Sequence, residues 1–290
     1  MESFKNDDAL YRIIDLEGFL SILYYNKERY VWPFGWEDTF EGCGLRYVTD
    51  KNNYRKFIGA LFSQYEDDKD SADSVLFNYA KAETISRCFY GQCWSQEADS
   101  DALWRIYSYS NKAIQIESNK ERIIRNINIK DYSPTIRKVV YDVENKDIDS
   151  LFIKYYSRHA RFDQQFFHKR TAFSHEKEVR VVISNKKNYS QVTHLRQMQL
   201  RNDYRLARIE SSKSDYDLVC ETIEKSWNNR SVENNIFLDI GNVSDYIKTV
   251  RVHPQAKDHF VQLVSEICAR NHIRFDGKSE LYNKYANPRS

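Results

Sequence analysis

Residues 174–184 read SHEKEVRVVIS, and charged and aliphatic side chains alternate along this segment. The charged positions are Glu176, Glu178 and Arg180. Successive side chains of a β-strand point to opposite faces, so the pattern predicts a strand with one aliphatic face and one charged face. Three charges in line suit either a solvated surface or the wall of a cleft. We expect a cleft wall with Glu178 at its centre.

The remaining predicted elements are interspersed without a regular βαβ repeat, and no linker or internal repeat divides the chain. We therefore expect an α+β fold, with a single domain over residues 1–282 in which helices flank a mixed or antiparallel sheet. A flexible tail is expected over 283–290. Further strands are expected at 10–13, 29–32, 87–95, 112–118, 136–143 and 247–254, with a last one from residue 273. Helices are expected at 16–25, 103–109, 147–168, 216–227 and around 260–267, with two more on either side of a polar loop at 64–74.

The bulk composition limits the class of protein. The 290 residues include only 8 Gly and 4 Pro, with 41% hydrophobic residues, which indicates a folded soluble chain. No apolar run approaches the ~20 residues of a membrane span, and the N-terminal MESFKNDDAL does not resemble a secretory signal. Five scattered cysteines indicate reduced thiols in a cytoplasm. Because no CxxC pair occurs, we expect no metal site.

The net charge of +2 provides no overall basic field that would attract nucleic acid. Two local runs are basic, and either could contact phosphates or form a solvated helix face. The first run holds Arg158, His159, Arg161, His168, Lys169 and Arg170, and the second holds Arg196, Arg201, Arg205 and Arg208.

Several nucleotide and nucleophile motifs are missing from the sequence. No Gly-rich phosphate loop precedes a predicted helix, no GxSxG elbow occurs, and kinase motifs are absent. A bound nucleotide would therefore need side chains for its phosphates, and arginine suits phosphate best.

Three segments bear on function: LYR at 10–12, CWS at 93–95 followed by LWRIY at 103–107, and FSHEKEVR at 173–180. Their order resembles the Arg–Ser–Glu class of ADP-ribosyltransferases. With WEDTFEG at 36–42 and VRVHPQAKDHFVQLV at 250–264, the chain also resembles a bacterial family catalogued as a domain of unknown function. The first resemblance implies an ADP-ribosyltransferase-like core and NAD as the substrate, without a metal.

The transferase resemblance also implies roles for individual residues. Glu178 would hydrogen-bond the ribose of NAD and stabilise the positive charge that develops on it, and Glu176 would orient or deprotonate the acceptor. Arg12 would pair with the phosphates or the adjoining ribose of NAD, and Ser95 would brace Arg12 and Glu178. The aromatic residues that could stack on the bases of NAD are Trp94, Trp104 and Tyr107.

Other interpretations of these residues stay open. Arg12 could pair with Asp15 or Glu17 at the surface, and Arg180 could neutralise one of the two glutamates. Trp104 and Tyr107 lie one helical turn apart, which also suits core packing. Many transferases of this class carry Ser-Thr-Ser where this chain has Cys93-Trp94-Ser95, so a second bracing hydroxyl is missing.

The resemblance extends to proteins of phage-defence and toxin–antitoxin systems. It implies a toxin-like enzyme whose acceptor is RNA, mRNA among the candidates, or single-stranded DNA, together with a neutralising antitoxin protein. Two alternatives from other classes remain. One is a metal-dependent nuclease that uses Glu176, Glu178 and a distant carboxylate, Asp38 or Glu41. The other is a non-catalytic interaction module with structural ion pairs.

Overall fold

The computed structural model describes residues 5–36, 38, 40–42, 45, 48–65, 71–108, 110–127, 132–143, 162–185, 189–227 and 233–285. The strands are β1 Ala9–Ile14, β2 Lys27–Val31, β3 Phe89–Ser95, β4 Ile114–Asn119, β5 Tyr132–Lys138, β6 Val140–Val143, β7 His168–Arg170, β8 Glu178–Asn185, β9 Asn235–Asp239, β10 Thr249–Val252 and β11 Arg274–Lys278. The helices are α1 Leu16–Tyr25, α2 Tyr54–Gln64, α3 Ser71–Cys88, α4 Asp101–Tyr107, α5 Lys120–Asn126, α6 Tyr189–Ile209, α7 Asp215–Lys225, α8 Val243–Tyr246 and α9 Asp258–Arg270. Short 3₁₀ helices cover Pro33–Gly35, Phe162–Phe167, Thr171–Glu176 and Glu280–Tyr285.

Nine of the described strands form one sheet. Its main path runs β11-β10-β4-β1-β3-β2-β9, and β8 pairs with both β3 and β5. Strand β3 is the branch point, because β8 pairs along its whole length while β1 and β2 each meet it at one residue. Within this sheet only β10 and β11 are parallel, and the other described pairs are antiparallel. The predicted α+β class with a mixed, mostly antiparallel sheet is therefore confirmed.

The sheet separates two hydrophobic clusters. The aliphatic face of β8, namely Val179, Val181 and Ile183, is fully buried in the first cluster, which also includes residues of α1 and α9. On the opposite face Val182 belongs to the second cluster, which includes residues of α2, α3 and α7. The predicted aliphatic face is confirmed, and β8 is enclosed on both sides. Each Å² of apolar surface removed from water contributes about 25 cal/mol, so burial of both faces of β8 stabilises the folded sheet relative to the unfolded chain.

Some predicted elements differ from the structure. The strand expected at 136–143 is two strands, because β5 ends at Lys138 and β6 pairs with β7 in a separate two-stranded sheet. Residues 147–161 of the helix expected at 147–168 lie outside the described residues. The prediction was wrong for the last part of that helix, since 162–167 form a 3₁₀ helix and His168 begins β7. The polar loop was expected to reach residue 74, but α3 begins at Ser71.

The helices α5, α8 and the 21-residue α6 were not predicted, and neither was strand β9. Residues 283–285, which were expected in the tail, belong to the last 3₁₀ helix, and 286–290 lie outside the described residues. Among the described helices, none combines the length and the apolar character that crossing a bilayer requires.

Candidate functional site

A tight turn leads into β8 and sets the direction of both glutamates. The 3₁₀ helix Thr171–Glu176 ends at Lys177, which adopts a left-handed conformation with φ 42° and donates its backbone N–H to Ser174. Such a conformation is uncommon for a non-glycine residue. Glu176 and Glu178, on either side of Lys177, both bind the same ammonium group, that of Lys169.

Glu178 is the centre of a buried ion network and is only 4% exposed. Arg180 donates to both of its carboxylate oxygens, from Nε at 2.6 Å and from Nη2 at 3.0 Å. Arg180 is fully buried and also donates to Glu41 Oε2 at 2.8 Å and to the Phe166 carbonyl at 2.6 Å. The expectation that Arg180 neutralises a glutamate is therefore confirmed.

Lys169 joins three carboxylates. Its Nζ lies 2.6 Å from Glu176 Oε2, 3.1 Å from Glu178 Oε2 and 3.4 Å from Glu41 Oε1. The same ammonium lies 4.8 Å from the centroid of the Phe173 ring. All four charged groups are at least nine-tenths buried. Lys169 and Glu41 were not identified as site residues in the transferase interpretation, although the nuclease alternative included Glu41.

The two cations keep Glu178 ionised. Burial alone would raise its pKa, but the nearby Arg180 and Lys169 lower the pKa of Glu178 to about 2. Glu41 behaves differently, because burial raises its pKa despite the contact with Arg180. Burial would lower the pKa of Lys169, yet the charges of Glu178 and Glu41 raise it. Glu178 is thus an acceptor-only carboxylate over the whole physiological pH range.

Trp36 covers the buried guanidinium. Its ring centroid lies 4.3 Å from Arg180 Cζ, which is a cation–π distance. A Cβ atom on Gly91 would approach the Trp36 ring to 2.5 Å, so glycine is required at this position of β3. Gly91 pairs with Val182 in β8, close to the ion network.

Ser95 fixes the backbone beside the network. Its hydroxyl donates to the Glu176 carbonyl at 2.7 Å and accepts from the Glu97 N–H at 3.0 Å. In the sheet Ser95 lies directly opposite Glu178. Ser95 therefore braces the turn that presents both glutamates. Its contacts do not include Arg12.

Two tyrosines adjoin the network. The Tyr141 hydroxyl accepts the backbone N–H of Glu178 at 2.7 Å, and burial raises the pKa of Tyr141 to about 12. Tyr107 is 46% exposed, and desolvation of its phenol together with the charge of Glu176 raises its pKa. Among the three predicted aromatic residues, Tyr107 is therefore the one that is both influenced by the charge of Glu176 and accessible to solvent.

Arg12 and Trp94 lie on the opposite face of the sheet. Tyr11 pairs with Ser95, so the neighbouring Arg12 side chain points away from the side of Ser95. Arg12 Nη1 instead donates to the buried Glu28 at 2.8 Å, and its Cζ lies 5.9 Å from the Trp94 ring. The partner is thus Glu28, and neither Asp15 nor Glu17.

A second buried polar cluster surrounds that ion pair. Gln92 donates to Glu28 Oε2 at 2.7 Å and accepts from Trp94 Nε1 at 2.7 Å. Trp104, by contrast, is 1% exposed and packs its ring 5.3 Å from that of His253. The structure thus brings Ser95 to Glu176 and Glu178, with Tyr107 near enough for the charge of Glu176 to raise its pKa, and it does not bring Arg12, Trp94 or Trp104 to them.

The basic runs are largely neutralised by carboxylates within the chain. In the first run the described residues pair as His168 with Asp142, Lys169 with Glu176, and Arg170 with Asp38. In the second run the pairs are Arg196 with Glu83, Arg201 and Arg205 with Asp73, and Arg208 with Asp215. Residues 158, 159 and 161 lie outside the described residues. The charge argument for nucleic acid therefore loses most of its weight.

Comparison with known families gives one match. The model of a family described as a protein of unknown function (DUF2971) matches residues 103–181. This span contains Tyr107, Lys169, Glu176, Glu178 and Arg180, and it supports the expected relation to an uncharacterised family. No curated protein and no solved structure matches the chain. The transferase resemblance and its core stay a prediction.

Proposed function

We propose that the chain is an NAD-dependent ADP-ribosyltransferase whose reacting centre lies at Glu176 and Glu178. The observation that carries the proposal is the buried Glu178 carboxylate, held ionised by Arg180 and Lys169 beside a second carboxylate. Cleavage of the nicotinamide–ribose bond passes through an oxocarbenium-like state. A fixed negative charge stabilises such a state without transferring a proton.

Glu176 has the second role in this proposal. In the described contacts its carboxylate binds one group, Lys169, whereas Glu178 binds both Lys169 and Arg180. Movement of a single lysine side chain would therefore free Glu176 to orient or deprotonate an acceptor hydroxyl. Ser95 supports this role because its hydroxyl donates to the Glu176 carbonyl and so fixes the backbone from which the Glu176 side chain extends. The proposal rests on the glutamates, Ser95 and Tyr107, and it assigns no contact to Arg12.

The proposed acceptor is nucleic acid, either RNA or single-stranded DNA. Half-exposed Tyr107 beside Glu176 could stack on a base, and stacking does not require free basic residues. The toxin-like role in phage defence, and a neutralising antitoxin protein, follow from the resemblance. We treat both as part of the proposal.

A metal-dependent nuclease is the second candidate, because Glu41, Glu176 and Glu178 all contact the Lys169 ammonium, although no group of three His, Cys, Asp or Glu side chains among the described residues is arranged to hold a metal ion. A divalent cation would have to replace the Lys169 ammonium, which now lies among the three carboxylates. This candidate predicts nucleic-acid cleavage that depends on added metal and is abolished by EDTA.

The test uses NAD labelled in its adenylate portion, incubated with purified protein and, separately, total RNA, single-stranded DNA and lysate protein. Wild-type protein should transfer label to one nucleic-acid class in the presence of EDTA. Glu176→Gln should transfer at least about 100-fold less. Glu83→Gln is the matched control, because Glu83 is another buried glutamate in an ion pair, here with Arg196, and its substitution should leave transfer unchanged.

Other outcomes separate the candidates. Cleavage of nucleic acid that EDTA abolishes, without use of NAD, would establish the nuclease. Neither transfer nor cleavage, with no release of nicotinamide, would leave the ion network as a structural element of an interaction module.

A further inference from the structure

The outer face of α6 carries an unusual concentration of exposed apolar side chains. Among the described residues fifteen large hydrophobic side chains are exposed, and five of them lie on this helix. They are Val192, Leu195, Met198, Leu206 and Ile209, with exposed fractions from 42% to 80%. Soluble monomers rarely leave large apolar surfaces open, so a partner is expected to cover this side of the helix.

Four of these five side chains fall on a heptad pattern, and Met198 flanks it. We use the name outer seam for the positions spaced 3-4-3-4-3 along α6, which are Val192, Leu195, Gln199, Asn202, Leu206 and Ile209. This spacing is the a/d repeat of a coiled coil. The buried residues of α6 lie on the other side of the helix, and they include Thr193, Arg196, Leu200 and Tyr204. One face therefore packs on the chain itself, and the seam faces outward over ~26 Å.

The flanks of the outer seam indicate what covers it. On one flank Asp203 and Glu210, the first residue after the helix, each follow a seam residue, and on the other flank Arg205, which also lies 3.4 Å from Asp73 of its own chain, precedes one. All three are exposed. In a parallel pair of helices the acidic flank of one copy faces the basic flank of the other, so that Arg205 meets Glu210 of the partner subunit. In an antiparallel pair the acidic flank of one copy would face the acidic flank of the other, and the like charges would repel.

The polar centre of the seam supports the same arrangement. Gln199 and Asn202 are exposed and interrupt the apolar residues. In a parallel, in-register pair each would face its own copy and could exchange amide hydrogen bonds across the interface. A register shifted by one heptad would set these amides against valine, leucine or isoleucine of the other copy.

We propose that the chain forms a parallel, in-register homodimer through the outer seam of α6. The dimer does not depend on the proposed enzymatic function, because the seam lies on a different element from Glu176 and Glu178. The two-fold axis runs along the helices, and each domain packs on the far side of its own helix.

The first test is sedimentation velocity of the full chain from about 1 to 100 μM. The wild type should shift with concentration from 34.6 kDa towards twice that mass. The double variant Leu195→Glu with Leu206→Glu should raise the dissociation constant at least about 100-fold, since four leucines would leave the interface. The control Leu20→Glu with Leu263→Glu changes two exposed leucines of α1 and α9 and should not alter association.

The second test addresses orientation. Asn202→Cys should form an intermolecular disulfide under mild oxidation, because a parallel in-register pair places the two positions opposite each other. Wild-type protein, which retains its native cysteines, is the control. A monomer throughout the concentration range, or a dimer that the seam variant leaves intact, would overturn the proposal. A seam-dependent dimer in which Asn202→Cys fails to cross-link would overturn the parallel register.

Discussion

Replacing Glu178 by glutamine should destabilise the fold through Arg180. The substitution keeps the size of the side chain and removes its charge, so that within the described part of the chain the fully buried guanidinium retains only Glu41 as a carboxylate partner. Removal of one member of a buried ion pair costs about 3–5 kcal/mol. The pKa of Glu178 gives a similar figure, because a fall from the ordinary value of 4.5 to about 2 corresponds to about 3 kcal/mol.

Urea unfolding of wild type and Glu178→Gln at neutral pH measures this difference. Glu176→Gln is the internal comparison and should lose less than half as much, because Lys169 keeps two other carboxylates. An exposed helical change, Glu266→Gln, should stay within about 0.5 kcal/mol. A loss below about 1 kcal/mol for Glu178→Gln would refute the argument that this carboxylate holds the buried arginine.

The same reasoning fixes the pH dependence. Because the folded-state pKa of Glu178 is lowered, its contribution to stability is fully present above about pH 4.5 and is lost as pH falls towards 2. The wild-type advantage over Glu178→Gln should therefore shrink across that window. An advantage that grows on acidification would contradict the assigned ion pair.

Three further substitutions test other contacts. Gly91→Ala should lower the free energy of unfolding by about 1–3 kcal/mol, since its methyl group would meet Trp36; an unchanged melting temperature would show that the ring can move aside. Ser95→Ala removes a buried hydrogen bond and should cost about 1–2 kcal/mol in urea unfolding, and no loss would show that the turn is held by other contacts. Arg12→Met leaves Glu28 buried without its cation and should cost about 3–5 kcal/mol, while label transfer per folded molecule stays the same; a selective loss of transfer would return Arg12 to the site.

The local pattern predicted β8 well, because alternation over several residues has one simple solution in a sheet. It did not show that the charged face is buried. That burial depends on Glu41 and Lys169, which approach Glu178 only through tertiary packing. Their sequence positions gave no local signal of the contact.

The position of Arg12 shows a second limit. A strand residue faces one side or the other according to its register with the neighbouring strand, and the pairing of Tyr11 with Ser95 sets that register. A shift of one residue would have moved Arg12 to the side of Ser95. The order of motifs along the chain contains no information about this choice.

Helix α6 was missed for a different physical reason. Its buried side includes Thr193 and Arg196, and Arg196 is accommodated by the ion pair with Glu83. Several of its most apolar residues lie on the exposed side instead. The hydrophobic period therefore does not mark a single buried stripe, which is the signal that a helix prediction uses.

The central claim is that the buried glutamates form a reacting centre for NAD. The most direct measurement compares the initial rate of nicotinamide release for wild type and Glu178→Gln, with both proteins shown to be folded by urea unfolding. The proposal predicts release by the wild type and a rate at least about 100-fold lower for the variant. Equal rates, or no release by folded wild-type protein with nucleic acid present, would contradict it.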